Sequence, residues 1–187
     1  IEILQPTNSI VLNTAELEIN SCRLIDSTGT TLSPSKTILD EKSETATFMF
    51  EADIPISNVK LKIEFIGELN DRLRGFYRSS YQDRNGNERY LATTQFEATD
   101  ARRAFPCWDE PSLKASFEVT LVVDSELAVV SNTMVAEEYD EDDGLKRVTF
   151  KETPIMSTYL LAFIVGDLKS VEKVANDGTL VRVWATA

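Results

Sequence analysis

At 187 residues, with 42% hydrophobic and 27% charged side chains, the chain has the size and make-up of one globular domain, not of a disordered segment. Its 31 acidic against 19 basic residues leave a net charge of −12, which argues against the basic face that nucleic acid and anionic membranes require. Histidine is absent and cysteine occurs twice, so the chain has neither the usual zinc ligands nor the base of a histidine triad.

Taken in order, the predicted elements are strands. Ala46, Phe48 and Phe50 recur at every second position, and Val59, Leu61, Ile63 and Phe65 alternate with Lys60, Lys62 and Glu64. A period of two gives a strand one apolar and one charged face. Asn85-Gly86 lies between Gly75–Gln82 and Glu88–Gln95, which predicts a hairpin with a type I′ turn. Thr99–Phe105 is the best helical signal, one turn capped by Thr99 and ended by Pro106. Phe117, Val119 and Leu121 alternate again, and the acidic run Glu137–Asp143 reads as a solvated loop tip. Asp143-Gly144 and Asp177-Gly178 predict two further hairpins of the same kind, the second feeding the alternating Val181 and Val183. Tyr159–Val165 is apolar on both faces, as a covered central strand would be. The expected fold is all-β, a saddle-like or sandwich arrangement of curved sheets with one short helical turn near 99–105, forming a single domain over 1–187.

Cys22 and Cys107 form no C-x-x-C pattern and are expected as free, buried or partly buried thiols in a reducing compartment. There is no apolar run near the roughly 20 residues that span a bilayer, and no N-x-S/T acceptor. A soluble, cytoplasmic protein without nucleic-acid or membrane partners is the expectation. The chain starts at Ile1 and stops just after an apolar run, so it is expected to be a piece of a longer protein, cut at its N-terminus.

Gln95 and Glu97 are two residues apart, so on a regular strand both project from one face while Phe96 points to the other. A carboxylate beside an amide oxygen makes a receptor for a primary ammonium, such as a peptide's α-amino group. An anchor of that kind fixes the distance from the amino end to the first peptide bond. Spacing alone does not overturn the plainer reading, an ordinary solvated carboxylate and a surface amide.

The stretch TTQFEATDARRAFPCWDEPSLKASF strongly resembles the N-terminal domain of the gluzincin aminopeptidases, the alanyl, glutamyl and puromycin-sensitive group. Within it the chain is most similar to the cytosolic alanine/arginine aminopeptidases of fungi and to the puromycin-sensitive enzymes. QPTNSIVLN at 5–13, GFYRSSY at 75–81 and MSTYLLAFIVGDL at 156–168 agree in the same order. The resemblance implies that Glu97 helps bind the substrate's free α-amine and that Gln95 lines the first-residue pocket. It implies no catalytic and no metal-ligating residue in this chain, because H-E-x-x-H and G-A-M-E-N belong to a later catalytic domain. That domain and peptide N-termini are the implied partners, zinc is its implied cofactor, and the chain alone is expected to be inactive. Arg102 and Arg103 are expected to pair with acids such as Asp109 and Glu110, with Phe105, Cys107 and Trp108 as packing residues. Ala98 and Trp108 depart from the commoner Pro and Phe. Two other readings stay open at this point: a scaffolding relative that has lost its zinc site, and an unrelated β-sandwich binding module.

Overall fold

The computed structural model describes residues 1–186, which fold into 17 strands and three short 3₁₀ turns. The chain is all-β, as the period-two pattern demands. Its first third is a small sandwich. One sheet runs Thr7–Asn13, Thr45–Ile54, Lys36–Asp40, and the other runs Thr31–Leu32, Leu17–Ile25, Lys60–Gly67. Ile10 and Leu12 from one sheet meet Cys22 and Leu24 from the other over Phe48 and Ala46, both fully buried. The alternating residues Val59, Leu61 and Ile63 close that core.

The remainder is built on a four-stranded sheet in the order Ala128–Ser131, Phe163–Gly166, Glu88–Gln95, Gly75–Gln82. Beside it lies a three-stranded sheet with Leu145–Phe150 between Thr120–Asp124 and Val135–Asp140. Phe96, Ala101 and Leu161 form a second core, joined by Phe105, Phe117, Met156 and Phe163. Of the apolar run Tyr159–Val165, only the part from Phe163 is strand, and it is internal to its sheet as expected; Thr158–Leu160 is a 3₁₀ turn.

The hairpin Gly75–Gln95 has the expected limits, with Gln82 opposite Glu88 and Gly75 opposite Gln95. Its turn is not type I′. Gly86 alone is left-handed, with φ +80°, and its N–H bonds the carbonyl of Asp83 at 2.9 Å. Asp83 N–H bonds the carbonyl of Asn87, which leaves a three-residue loop around a type I turn. The Asp83 carboxylate selects this form by capping the N–H groups of Asn85 and Asn87, both at 2.9 Å. Asp177-Gly178 behaves likewise, with only Gly178 left-handed. At Asp143-Gly144 both residues are left-handed, φ 61° and 76°, which is the type I′ geometry.

Two further expectations are corrected. Glu137–Asp140 belongs to the edge strand Val135–Asp140, where exposed acids discourage pairing with another chain. Val181 and Val183 alternate but stay exposed, because among the described residues the hairpin Leu168–Val174 with Leu180–Thr186 pairs only with itself.

Both thiols are free, Cys22 buried and Cys107 partly so. Burial pushes Cys22 up to about 11; for Cys107 burial, aided by the charge of Asp109, pushes it to about 12. In the unfolded chain both would ionise near the ordinary value of 9.0. A raised folded pKa means that the contribution is complete below pH 9 and is lost as pH rises toward 11–12. The urea midpoint is therefore expected to fall more steeply above pH 9 in wild type than in a Cys22→Ala, Cys107→Ala double variant. Parallel pH profiles would show that the thiols do not contribute.

Candidate functional site

Gln95 is the last residue of its strand, and the chain turns sharply straight after it. Phe96 fixes how the turn is presented. Its ring is 2% exposed and packs edge-on against Phe105 at 5.9 Å and Phe163 at 6.1 Å. With Phe96 committed to the core, its neighbours Gln95 and Glu97 are both exposed, as the period-two argument requires. The Gln95 side-chain N–H donates to the Glu97 backbone carbonyl at 3.3 Å, which leaves the amide oxygen as a free acceptor. The Glu97–Ala98 peptide bond is cis. Among the described residues, nothing donates to the Glu97 carboxylate. The pair therefore offers acceptors without internal donors, the complement of an ammonium group.

The turn that follows is closed by Asp100 N–H bonding the Phe96 carbonyl at 2.9 Å, and then by the 3₁₀ turn Ala101–Arg103. The helical turn is where the sequence placed it, but Thr99 does not cap it. Asp100 occupies the cap position and makes no side-chain cap bond. Its carboxylate instead accepts from Arg103 Nε at 2.8 Å.

Backbone bonds fasten the segment to the first sandwich. Ala15 N–H bonds the Arg102 carbonyl at 3.0 Å, and Asn13 and Cys107 exchange bonds of 2.8 and 3.1 Å. Charges complete the clasp. Arg102 Nε lies 3.0 Å from the Asp109 carboxylate, which is almost wholly buried, and its Nη1 lies 3.1 Å from Glu44. Arg103, 10% exposed, reaches Asp100 at 2.8 Å, Glu16 at 2.8 Å and Glu44 at 2.7 Å. Burial opposes the Arg103 charge. The Asp100 hydrogen bond and the charges of Glu16 and Glu44 outweigh that effect and raise its pKa. Gly75, at φ +69°, lets the hairpin approach this turn, since a Cβ there would sit 2.8 Å from Arg103 Cβ.

Asp109 was legible as an arginine partner; Glu110 was not correctly read, because it is exposed and makes no ion pair among the described residues. Glu16 and Glu44 were missed. They lie 87 and 59 residues from Arg103, and no local pattern announces so distant a partner. Phe105 and Cys107 pack against the second core as expected, whereas Trp108 is 37% exposed. Among the described residues no three His, Cys, Asp or Glu side chains gather to hold a metal ion. No helix among them is long and apolar enough to cross a membrane.

Comparison with known proteins places this geometry. Residues 1–160 match the family model described as the Peptidase M1 N-terminal domain. Aminopeptidase 2 of Candida albicans is 43% identical over 186 residues, which cover 99% of this chain and 19% of the relative. Aminopeptidase 2, mitochondrial, of Saccharomyces cerevisiae is 48% identical over 183 residues, covering 96% and 18%. The puromycin-sensitive aminopeptidase of Caenorhabditis elegans is 42% identical over 185 residues, covering 98% and 20%. The chain thus spans about a fifth of the length of these relatives. With a family model over most of its length and an all-β fold, the chain belongs to the Peptidase M1 N-terminal domain family.

Proposed function

We propose that this chain forms the substrate-side wall of a peptidase that releases N-terminal residues, with Glu97 receiving the peptide's free α-amine and Gln95 lining the first-residue pocket. The observation that carries the reading is the pair itself: two exposed side chains with acceptor oxygens at a strand end, flanking a Phe96 that is locked in the core. The relatives' printed names are those of aminopeptidases, which act at the end where that amine lies.

Among the described residues no three His, Cys, Asp or Glu side chains gather to hold a metal ion, and no chemical step is assigned to the residues of this chain. Their role is positioning: an ammonium held at Glu97 sets how far the first peptide carbonyl lies from the chemistry. The zinc and its ligands are proposed to lie in a catalytic domain outside this chain. The exposed apolar hairpin 168–186, with Val171 72% and Val183 61% exposed, supports docking against such a partner. The proposed location is the cytoplasm, on the family resemblance alone; the printed name of the Saccharomyces cerevisiae relative is that of a mitochondrial enzyme.

The reading is tested on the full-length peptidase with Gln95→Ala. Loss of one neutral acceptor is expected to raise KM several-fold, about 1 kcal/mol, with a change that depends on the first residue and a nearly constant kcat. Identical constants for every first residue would leave Gln95 as a surface amide.

A further inference from the structure

The tip of the hairpin Gly75–Gln95, at the end away from Gln95, carries a second chemistry. Asn85 is the one asparagine in the sequence followed by glycine. Asn85 and Gly86 are both exposed. Around Gly86 there is open space, with nothing within 4 Å of where a Cβ would stand, so no side chain crowds the approach of its backbone to Asn85. We propose that Asn85 is a site of spontaneous deamidation whose rate is set by the Asp83 carboxylate.

The reaction needs only water and base. The Gly86 backbone nitrogen, on losing its proton, attacks Cγ of Asn85. A C–N bond forms, the Cγ–Nδ2 bond breaks, and ammonia leaves. The five-membered imide is then opened by water at either carbonyl, giving aspartate or isoaspartate. One water is consumed and one ammonia released. No oxidant or cofactor enters.

The resting turn holds this reaction back. Gly86 N–H is tied to the Asp83 carbonyl at 2.9 Å, and ring closure must rotate that peptide and break the bond. The Asp83 carboxylate keeps the turn in place by accepting from Asn85 N–H and Asn87 N–H at 2.9 Å, from the Asn87 amide at 3.1 Å and from Arg89 Nε at 3.2 Å. Bonds from the Asn87 backbone and amide come first among the causes that hold its pKa down to about 2. The carboxylate is therefore charged at neutral pH, and its charge also opposes formation of the nitrogen anion next to it. Brace and charge act in the same direction. Removing Asp83 loosens the turn and eases the deprotonation.

The product adds a carboxylate at 85 and, in the isoaspartyl form, a backbone methylene. Both lie a full strand, roughly 25 Å, from Gln95. The site at Gln95 and Glu97 is thus outside the reach of the change.

The test is peptide mass analysis of the full-length protein during incubation at pH 8, with wild type, Asp83→Ala and Gly86→Ala side by side. Wild type is expected to gain the deamidation mass in the peptide containing Asn85 before any peptide containing another asparagine. The gain in Asp83→Ala should be about fivefold faster, the effect of losing one net hydrogen bond that resists local opening. Gly86→Ala, which shields the nitrogen, should be slower than wild type. Circular dichroism of each variant shows whether the fold is retained, and a synthetic peptide of residues 83–89 gives the rate without the turn. That peptide should react faster than the folded wild type. Absence of the mass gain at Asn85, or equal rates in peptide, wild type and Asp83→Ala, would overturn the proposal.

Discussion

Glu97→Gln in the proposed full-length peptidase is expected to lower kcat/KM by at least about thirtyfold, on the order of 2 kcal/mol. The substitution keeps the size of the side chain and one acceptor oxygen. It removes the negative charge and places an N–H₂ donor where the ammonium would sit. The loss therefore combines a missing charge-assisted bond with a new donor–donor conflict. Folding should be unaffected, because Glu97 is exposed and the geometry of its turn is set by Phe96 and by the bond from Asp100 N–H. If the amine is held equally in ground and transition states, KM carries the loss. If the anchor tightens as the carbonyl is attacked, kcat carries it. Either split supports the anchor, whereas an unchanged kcat/KM would leave this domain as scaffold.

The second large effect lies in the clasp. Arg103→Met is expected to destabilise the domain by about 3 kcal/mol, read as a drop in the urea midpoint at constant slope. The methionine fills most of the volume but removes the cation that Asp100, Glu16 and Glu44 share; Glu44 keeps Arg102 and Glu16 keeps Arg72 and Arg74, so Asp100 is the acid left unpaired. The estimate is at the low end for a broken buried pair because Glu16 is 40% exposed and Glu44 32% exposed, and water screens part of the repulsion. The clasp joins the turn after Glu97 to residues 13–16 and 44 of the first sandwich, so the same variant should also weaken substrate capture. Arg103→Lys restores the charge but not the three-way fork of donors, and it should recover only part of either loss. An unchanged midpoint for Arg103→Met would mean that the backbone bonds alone hold the turn.

How much of this was legible beforehand varied with the distance over which each feature is determined. The hairpin 75–95 was readable to the residue, because a turn dipeptide between two alternating runs is a local signal. Its turn type was not. The dipeptide permits type I′, but the Asp83 carboxylate, two residues earlier, draws the N–H groups of Asn85 and Asn87 into a different loop. At Asp143-Gly144 no such brace is present among the described residues, and both residues take the left-handed form. Thr99 shows the same competition: Asp100 takes the cap position and spends its carboxylate on Arg103. That Gln95 and Glu97 are exposed on either side of a buried Phe96 followed from a period of two. Spacing does not separate an amine receptor from a solvated pair; the proposal that they receive an amine rests on the family resemblance. The long-range part of the clasp was out of reach. Its acids come from Glu16 and Glu44, both left-handed residues in connections between strands of the first sandwich, and nothing near Arg103 in sequence points to them.

The most direct measurement of the central claim is inhibition of wild-type and Glu97→Gln full-length enzyme by a matched pair of ligands, an amino-acid amide and its desamino analogue. The pair differs only in the ammonium group, so the ratio of their inhibition constants isolates what that group contributes. Wild type is predicted to favour the amine, and the variant to lose most of that preference while binding the desamino compound as wild type does. An amine preference that survives intact in Glu97→Gln would contradict the account and assign recognition of the amino end to residues outside this chain.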